Sequence, residues 1–573
     1  MKSLKKILFI LNKKEKLQLV FISIFSFFTI FMEMLSIAVI IPVFDIIFFD
    51  NVDKYNFLNH FLTGFISFEG SNFKILILIA LLLAFLLKNI ILMVFHYIST
   101  KFFYLINLRI SNDLFNIYLN NDYNFFLSLK TNHFLRKVYN DAEGIKAFLQ
   151  STQVIITELI FLMSLSIFLF ISNSKIFIFC AIIFLAVLFI YYLVFKKRIT
   201  VWGNLFQKSM GDLQSTVIEG VKGIKDIIVY NLENRFSLQF WNLSNSTIMS
   251  RFKLDFATTF PRFFMELVAV FSLIVPIIFL VYSGHDVQKL IPTFALFSIS
   301  IFKAIPSINR FLGNYNSVKF YTASIETYYH EFLLDNKKPL IQEDRVCPDT
   351  FKSLEFKNIE YSYLKFGNPV LSNINFAINK GQSIAIKGAN GSGKSTLLNI
   401  IAGLVAPTAG EILIDNKSTI FNKAWSKKIS YIQQNIFLLN DTIKENIISR
   451  SADQGKIDYA RLSYVVETLD LKRTFINIPN FLDGIVGNDG SKLSGGQKQV
   501  ISIARAIYRN NEIIIFDEAN SALDDNFNYR LKQLLLNLKS HKIIIFVTHE
   551  NSFFEECFDH VYRLHAGEIK LEK

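Results

Sequence analysis

Apolar positions along the chain fall into two textures that meet near residue 312. Before that point, long runs of Phe, Ile and Leu are broken by basic stretches; after it, short β-branched runs alternate with amphipathic segments. Crossing a bilayer as a helix takes roughly 20 mostly apolar residues. Six segments satisfy this, at about 17–48, 74–98, 147–172, 175–195, 262–283 and 289–311. The intervening stretches 99–146 and 196–254 are long and polar, and the other connections are short. Beyond a charged connector (Asp335 to Asp349), runs at 383–387, 429–433, 513–516 and 543–547 read as strands between helical segments. The pattern predicts an α-helical transmembrane domain of six spans over 1–320, a linker over 321–349, and a soluble α/β domain over 350–573.

Composition agrees. Hydrophobic residues make up 52% and charged residues 19%, against about 25% charged in an ordinary soluble chain. The lysine-rich start (Lys2, Lys5, Lys6, Lys13, Lys14, Lys16) precedes an apolar run too long for a cleaved leader, so it reads as an uncleaved first span. Basic residues crowd the N-terminal arm and both long polar stretches (Lys101, Arg109, Arg136, Lys137; Lys196, Lys197, Arg198, Lys222, Lys225, Arg235). The short connections carry Asp50, Asp53, Glu69 and Asp286. By the positive-inside rule the N-terminus, both long stretches and the α/β domain are cytoplasmic. The net charge of +13 comes without a groove-binding motif, so nucleic acid is not an expected partner. Cys180, Cys347 and Cys557 are scattered, which argues against a disulfide framework or a structural zinc.

Candidate chemistry lies in the α/β domain. Ser383–Lys387 reads as a buried strand. It runs into Gly388-Ala389-Asn390-Gly391-Ser392-Gly393-Lys394-Ser395 and then a Leu-rich helix. This is a phosphate loop in the strand-to-helix setting it requires. Backbone N–H groups and the helix N-terminus would hold phosphates, Lys394 would reach the β- and γ-phosphates, and Ser395 would bind magnesium. Ile513–Phe516 leads into Asp517 and Glu518. A carboxylate at that strand end is placed to hold magnesium, and Glu518 beside it to polarise an attacking water.

Between these motifs lies Leu493-Ser494-Gly495-Gly496-Gln497-Lys498-Gln499, which resembles the signature of the ATP-binding cassette (ABC) family. Further elements follow in the family's order: Tyr363, Gln434 in Tyr431-Ile432-Gln433-Gln434, Ser521-Ala522-Leu523-Asp524, and Thr548-His549. The resemblance covers essentially the whole chain and is to exporter-type half-transporters: a six-span helical domain joined to an α/β P-loop NTPase cassette. It implies ATP and Mg2+ as cofactors. Tyr363 would stack on adenine, residues Gly388 through Ser395 with Thr396 would bind ATP, and Ser395, Gln434 and Asp517 would hold magnesium. Glu518 and His549 would be catalytic, and Asp524 would belong to the D-loop. The resemblance further implies a head-to-tail homodimer, in which Ser494, Gly495, Gly496 and Gln497 of one copy cap the ATP of the other. Segments around 122–136 and 212–226 would be coupling helices. Three positions depart from the family: Asn488-Asp489-Gly490 where Glu-Arg-Gly is common, Asn520 for Thr, and Glu550 for Arg.

Ionisable residues within spans are costly and mark a pathway or an ion pair. They include Glu33, Lys88, His96, Glu158, Arg262, Glu266, Lys303 and Arg310. Lys88, His96, Arg262, Lys303 and Arg310 would suit an amphiphile with a phosphate or pyrophosphate head. The competing reading pairs Arg262 with Glu266 four residues on and lets Arg310 snorkel. Residues 51–68 place Tyr55, Leu58, Phe61, Leu62, Phe65 and Ile66 on one helical face, fitting either an interfacial helix or an ordered loop. Glu33, this segment, Pro261-Arg262, Pro306-Ser307-Ile308-Asn309-Arg310 and Val561-Tyr562-Arg563-Leu564-His565 resemble the bacterial lipid-linked oligosaccharide flippases of protein N-glycosylation. That implies translocation of a polyprenyl-pyrophosphate oligosaccharide across the bacterial inner membrane, with the cassette in the cytoplasm. The rival readings are an exporter of another lipid, a drug or a peptide, and a regulated channel or sensor.

Overall fold

The computed structural model describes residues 2–39, 71–121, 123–128, 134, 136–282, 291–326, 328–329, 350–363, 369–418, 423–449, 457–519, 523–548 and 552–573. The amphipathic segment 51–68 and His549 lie outside the described residues. The chain divides into two compact units, Met1–Asn121 with Ser128–Lys338, and Asp122–Leu127 with Pro339–Lys573.

The first unit is helical. Its elements are α1 (Lys2–Ile10), α2 (Lys13–Ala38), α3 (Ser71–Leu119) and, after a π-helical turn at Arg136–Asp141, α5 (Ala142–Ser172); the intervening short α4 (Tyr123–Ser128) belongs almost wholly to the second unit. Then come α6 (Ser174–Lys222), α7 (Ile224–Val229), α8 (Glu233–Tyr282) and α9 (Ile291–Phe320). Much of what reads in sequence as polar connection is therefore continuous helix. The basic residues that follow two of the apolar runs, Lys101 and Lys196-Lys197-Arg198, are ones a helix tolerates, and no proline occurs between Pro42 and Pro261. A helix of 49 residues such as α6 measures about 74 Å, against a hydrocarbon core of about 30 Å. Roughly half of it must project into water.

Among the described residues, Lys13–Ser36, Leu81–Leu119, Lys137–Ser172 and Ser174–Lys222 are long and apolar enough to cross a membrane. Only 6–28% of their apolar windows is buried within the chain, so lipid or another polypeptide must cover the rest. The predicted fifth and sixth spans fall on α8 and α9. Residues 283–290 between those two helices lie outside the described set. Two apolar clusters hold the unit together: Ile30, Phe161, Leu165, Leu169, Leu296 and Phe297, and a second built on Tyr191, Phe195, Leu254, Met265, Ile305 and Leu312.

The second unit is α/β. Strands β1 (Ser353–Tyr361), β2 (Leu371–Asn379), β4 (Ala409–Ile414) and β5 (Lys417–Ser418) form an antiparallel sheet in the order β2-β1-β4-β5. Strands β3 (Ser383–Lys387), β6 (Ile429–Ile432), β7 (Ile513–Asp517), β8 (Ile543–Thr548), β9 (His560–His565) and β10 (Glu568–Leu571) form a sheet in the order β10-β9-β3-β8-β7-β6. Its β9, β3, β8, β7 and β6 are parallel. Period-two alternation sends Ile384, Ile386, Ile513, Ile515, Ile543 and Ile545 into one core. Ala385, Ile514, Phe516, Ile544 and Phe546 enter the other. Because both faces are covered, these strands read as unbroken apolar runs rather than alternating ones. The segment Asp122–Leu127 groups with this unit, where Tyr361 Oη donates to Asn124 Oδ1 at 3.0 Å.

Candidate nucleotide site and intramembrane charges

The register β3-β8-β7 pairs Lys387 with Thr548 and Asp517 with Val547. The phosphate loop and the acidic strand end thus emerge at one carboxyl edge of the sheet, where open α/β sheets place their ligands. Between β3 and α10 (Lys394–Ile401) the loop turns on Gly391 (φ +79) and Gly393 (φ +103). A Cβ at Gly388 would lie 2.5 Å from the Leu564 carbonyl and 2.8 Å from Ser392 Oγ. Only glycine lets the backbone pass there.

Lys394 is buried and arches over the loop, its ammonium donating to the carbonyls of Gly388 (2.7 Å) and Ala389 (3.1 Å). Burial lowers its pKa below that of an ordinary lysine, while Glu518 and Asp517 oppose the shift. Burial pushes the Asp517 carboxyl above the usual range; Tyr431 Oη, donating to Asp517 Oδ2 at 3.0 Å, and Lys394 pull it back. The same carboxylate and burial push the Tyr431 phenol up. Glu518 sits in the left-handed region (φ 54), and Gln434 Nε2 donates to its Oε2 at 2.7 Å. Gln499 Nε2 donates to the Glu518 carbonyl at 3.4 Å. Tyr363 Oη lies 3.0 Å from Thr396 Oγ1.

The structure therefore brings Tyr363, Thr396, Lys394, Asp517, Glu518 and Gln434 together around the loop. The glycine cradle, the buried ammonium and the unpartnered, buried Ser392 Oγ fit a triphosphate. The hydroxyl of Ser395, the Gln434 amide and one carboxylate at Asp517 are oxygen donors of the kind magnesium prefers. Tyr431 is a site residue that the motif reading left without a role. Its contact with Asp517 crosses from β6 to β7, and no local spacing announces it.

The signature residues stand apart from this group. Ser494 caps α15 (Gly495–Arg509; α11–α14 are the short helices Lys423–Ser426, Ile443–Ile448, Tyr459–Thr468 and Leu471–Thr474). Ser494 Oγ accepts from Gln497 N (3.2 Å) and Gln497 Oε1 accepts from Ser494 N (3.0 Å), a capping box. Asp524 caps α16 (Asp525–Lys539) by a single bond, its Oδ1 accepting from Phe527 N at 2.7 Å. Ser494, Gly496, Gln497 and Asp524 line a cleft of about 370 Å³ together with Arg473 and Arg530. No phosphate-loop residue lines it. Within one chain the two half-sites remain separate.

Of the candidate headgroup residues, Arg262, Lys303 and Arg310 are paired with carboxylates. Arg262 Nε donates to Glu266 Oε1 at 3.0 Å. Lys303 Nζ lies 3.6 Å from Glu33 Oε1, with buried Lys88 in electrostatic range of both. Arg310 and Ser307 both bond Glu158. Arg262, Glu266, Asn309 and Arg310 line an otherwise apolar cleft of about 620 Å³ between α8 and α9. His96 is exposed on α3 and joins none of these pairs among the described residues.

Residues 371–521 match the ABC transporter family. The chain is 26% identical over 469 residues to the ATP-dependent lipid A-core flippase of Aliivibrio fischeri, covering 81% of this chain and 79% of that protein. It is 33% identical over 218 residues to the ATP-dependent lipid A-core flippase of Ralstonia nicotianae, covering 38% of this chain and 37% of that one. Among solved structures it superposes on a bacterial Atm1-family ABC exporter with ATP bound. The TM-score is 0.76 at 17% identity, over 98% of this chain and 94% of that one. With the phosphate loop, the acidic strand end and the signature in place, the chain is an ABC-type ATPase coupled to transmembrane transport, built on the exporter fold.

Proposed function

We propose that the chain is a homodimeric flippase of the bacterial inner membrane that moves a polyprenyl-pyrophosphate-linked oligosaccharide from the cytoplasmic to the outer leaflet. The observation that carries this reading is the charged lining of the α8–α9 cleft and its neighbours. Arg262, Lys303 and Arg310 keep side chains 65%, 40% and 52% exposed amid apolar helices. A pyrophosphate can displace their carboxylate partners, while a lipid tail is accommodated by Val270, Ile301, Phe302 and Ile305. Under the six-span reading of the sequence this cleft would lie within the bilayer. The relatives named as lipid A-core flippases support a lipid as cargo, and their own kind of cargo is the second reading.

In the cassette, ATP with Mg2+ supplies the phosphoanhydride whose hydrolysis drives transport. Lys394 and the loop N–H groups bind and orient the phosphates, and Ser395, Gln434 and Asp517 hold the metal. Glu518 accepts the proton of the attacking water, with Gln434 fixing its carboxylate; His549 is assigned to the γ-phosphate. Ser494 through Gln497 and Asp524 of a second copy close the site. The coupling role read for segment 122–136 is supported by the grouping of Asp122–Leu127 with the cassette and by the Tyr361–Asn124 bond.

The test is reconstitution of the chain into vesicles carrying either a polyprenyl-pyrophosphate oligosaccharide or a lipid A-core glycolipid, with ATP. The expected result is translocation of the first. Exclusive translocation of the second would replace the cargo assignment while leaving the ATPase reading intact. Because each base is paired, neutralising it alone would strand a carboxylate in an apolar surround. The double variants E33Q/K303Q and E158Q/R310Q avoid this, and each should abolish flipping while nucleotide binding persists.

A further inference from the structure

A second groove runs between α6 and α9 and shares no lining residue with the cleft described above. Its volume is about 500 Å³. Leu185, Leu188, Phe189 and Phe195 of α6 face Phe311 and Leu312 of α9, and the lining includes Tyr192 and Lys196 from one helix and Tyr315 and Lys319 from the other. Lys319 is the last lining residue of α9, and on α6 only Ile199 lies beyond Lys196. Both helices run from the outer to the cytoplasmic side under the orientation above, so the two ammonium groups share the cytoplasmic end. From Leu185 to Lys196 the apolar wall extends about 16 Å.

The lysines are held there by aromatic faces. Lys196 Nζ lies 4.7 Å from the Tyr192 ring centroid, and Lys319 Nζ 5.7 Å from that of Tyr315. Lys196 is also hydrogen-bonded to Tyr192 and within electrostatic range of Tyr315, which ties the two helices' basic ends together. The floor is rigid: Tyr191 Oη donates to the Ala257 carbonyl at 2.9 Å and accepts from Asn316 Nδ2 at 2.6 Å. No acidic side chain lines the groove among the described residues. This is the reverse of the cargo cleft, where each base has its own carboxylate.

An apolar slot about an acyl chain long, ending in two uncompensated ammonium groups and two phenols, is complementary to one kind of molecule. We infer that this groove binds an anionic phospholipid of the cytoplasmic leaflet, with an acyl chain along Leu185, Phe189 and Phe311 and the phosphate between Lys196 and Lys319. The site requires only that the chain sits in the membrane in the stated orientation; it is independent of the cargo assignment.

The experiment is native mass spectrometry of the full chain purified in detergent and titrated with dioleoylphosphatidylglycerol or dioleoylphosphatidylcholine. Two lysines close to an anionic headgroup favour the glycerol lipid by about tenfold or more. K196Q/K319Q should erase that preference. L185W, which narrows the slot at an exposed position and leaves both lysines in place, should lower retention of both lipids. Circular dichroism and gel filtration verify that each variant is folded. Equal retention of the two lipids by the unmodified chain would overturn the proposal, as would an undiminished preference in K196Q/K319Q. Displacement of the glycerol lipid by inorganic phosphate alone would also overturn it, because it would show a bare anion site without the acyl component.

Discussion

At the residue scale, Glu518 and Asp517 are adjacent but differently placed. Glu518 lies on a half-buried bend with its carboxylate held by Gln434, whereas Asp517 ends a buried strand. Glu518→Gln keeps a group that can accept from Gln434 but cannot take a proton. ATP binding is expected to persist while turnover falls by about 10²–10⁴-fold, the usual contribution of a general base. Near-normal hydrolysis in a steady-state assay would remove Glu518 from that role. For Asp517 the sign follows from burial. The folded chain holds this proton more tightly than the unfolded chain does, so the carboxylate costs stability above its folded pKa and ceases to cost anything below its unfolded value. The magnesium-binding form is also lost as pH falls through that raised pKa. Tyr431→Phe removes a hydrogen bond that favours the charged form, so the acid limb of the ATPase pH profile should move to higher pH. An unmoved limb would show that the Tyr431 contact does not govern Asp517.

At the element scale, the phosphate loop is constrained by neighbours far away in sequence. The Cβ of Gly388→Ala would meet the Leu564 backbone on β9 at 2.5 Å, and a backbone atom cannot turn aside as a flexible side chain can. The loop must shift, and nucleotide affinity should fall by about 5- to 150-fold, for a strain of about 1–3 kcal/mol; equilibrium binding of a fluorescent ATP analogue measures this. Legibility divides along the same line. The phosphate loop, the acidic strand end and the capped signature helix are each encoded within a few residues, so their spacing alone revealed them. The Arg262–Glu266 pair was readable for the same reason, lying one helical turn apart. Glu33–Lys303, Glu158–Arg310 and Tyr431–Asp517 join elements that only tertiary packing brings together, and no sequence period encodes them. Helix ends were also hidden. The apolar run sets where lipid ends, but the helix itself stops only where capping and turn residues such as Asn231 (φ 51) permit it.

At the scale of the whole molecule, the separation of the half-sites is the feature with the most consequence. The phosphate loop and the signature cleft of one cassette share no lining residue. If each ATP is enclosed by the loop of one copy and the signature of another, two different lesions can complement each other. A K394A chain has a broken loop and an intact signature; a G496D chain has the reverse. Homodimers of either variant contain no intact site. A heterodimer contains one site carrying both lesions and one carrying neither. Equal mixing should therefore restore nucleotide occlusion to about a quarter of the unmodified level, since about half of randomly paired dimers are mixed and each regains one of two sites. A site completed within a single chain would be damaged in every copy, and mixing would restore nothing. Vanadate-trapped nucleotide, counted in co-expressed and separately purified variants, distinguishes the two outcomes without reference to the cargo.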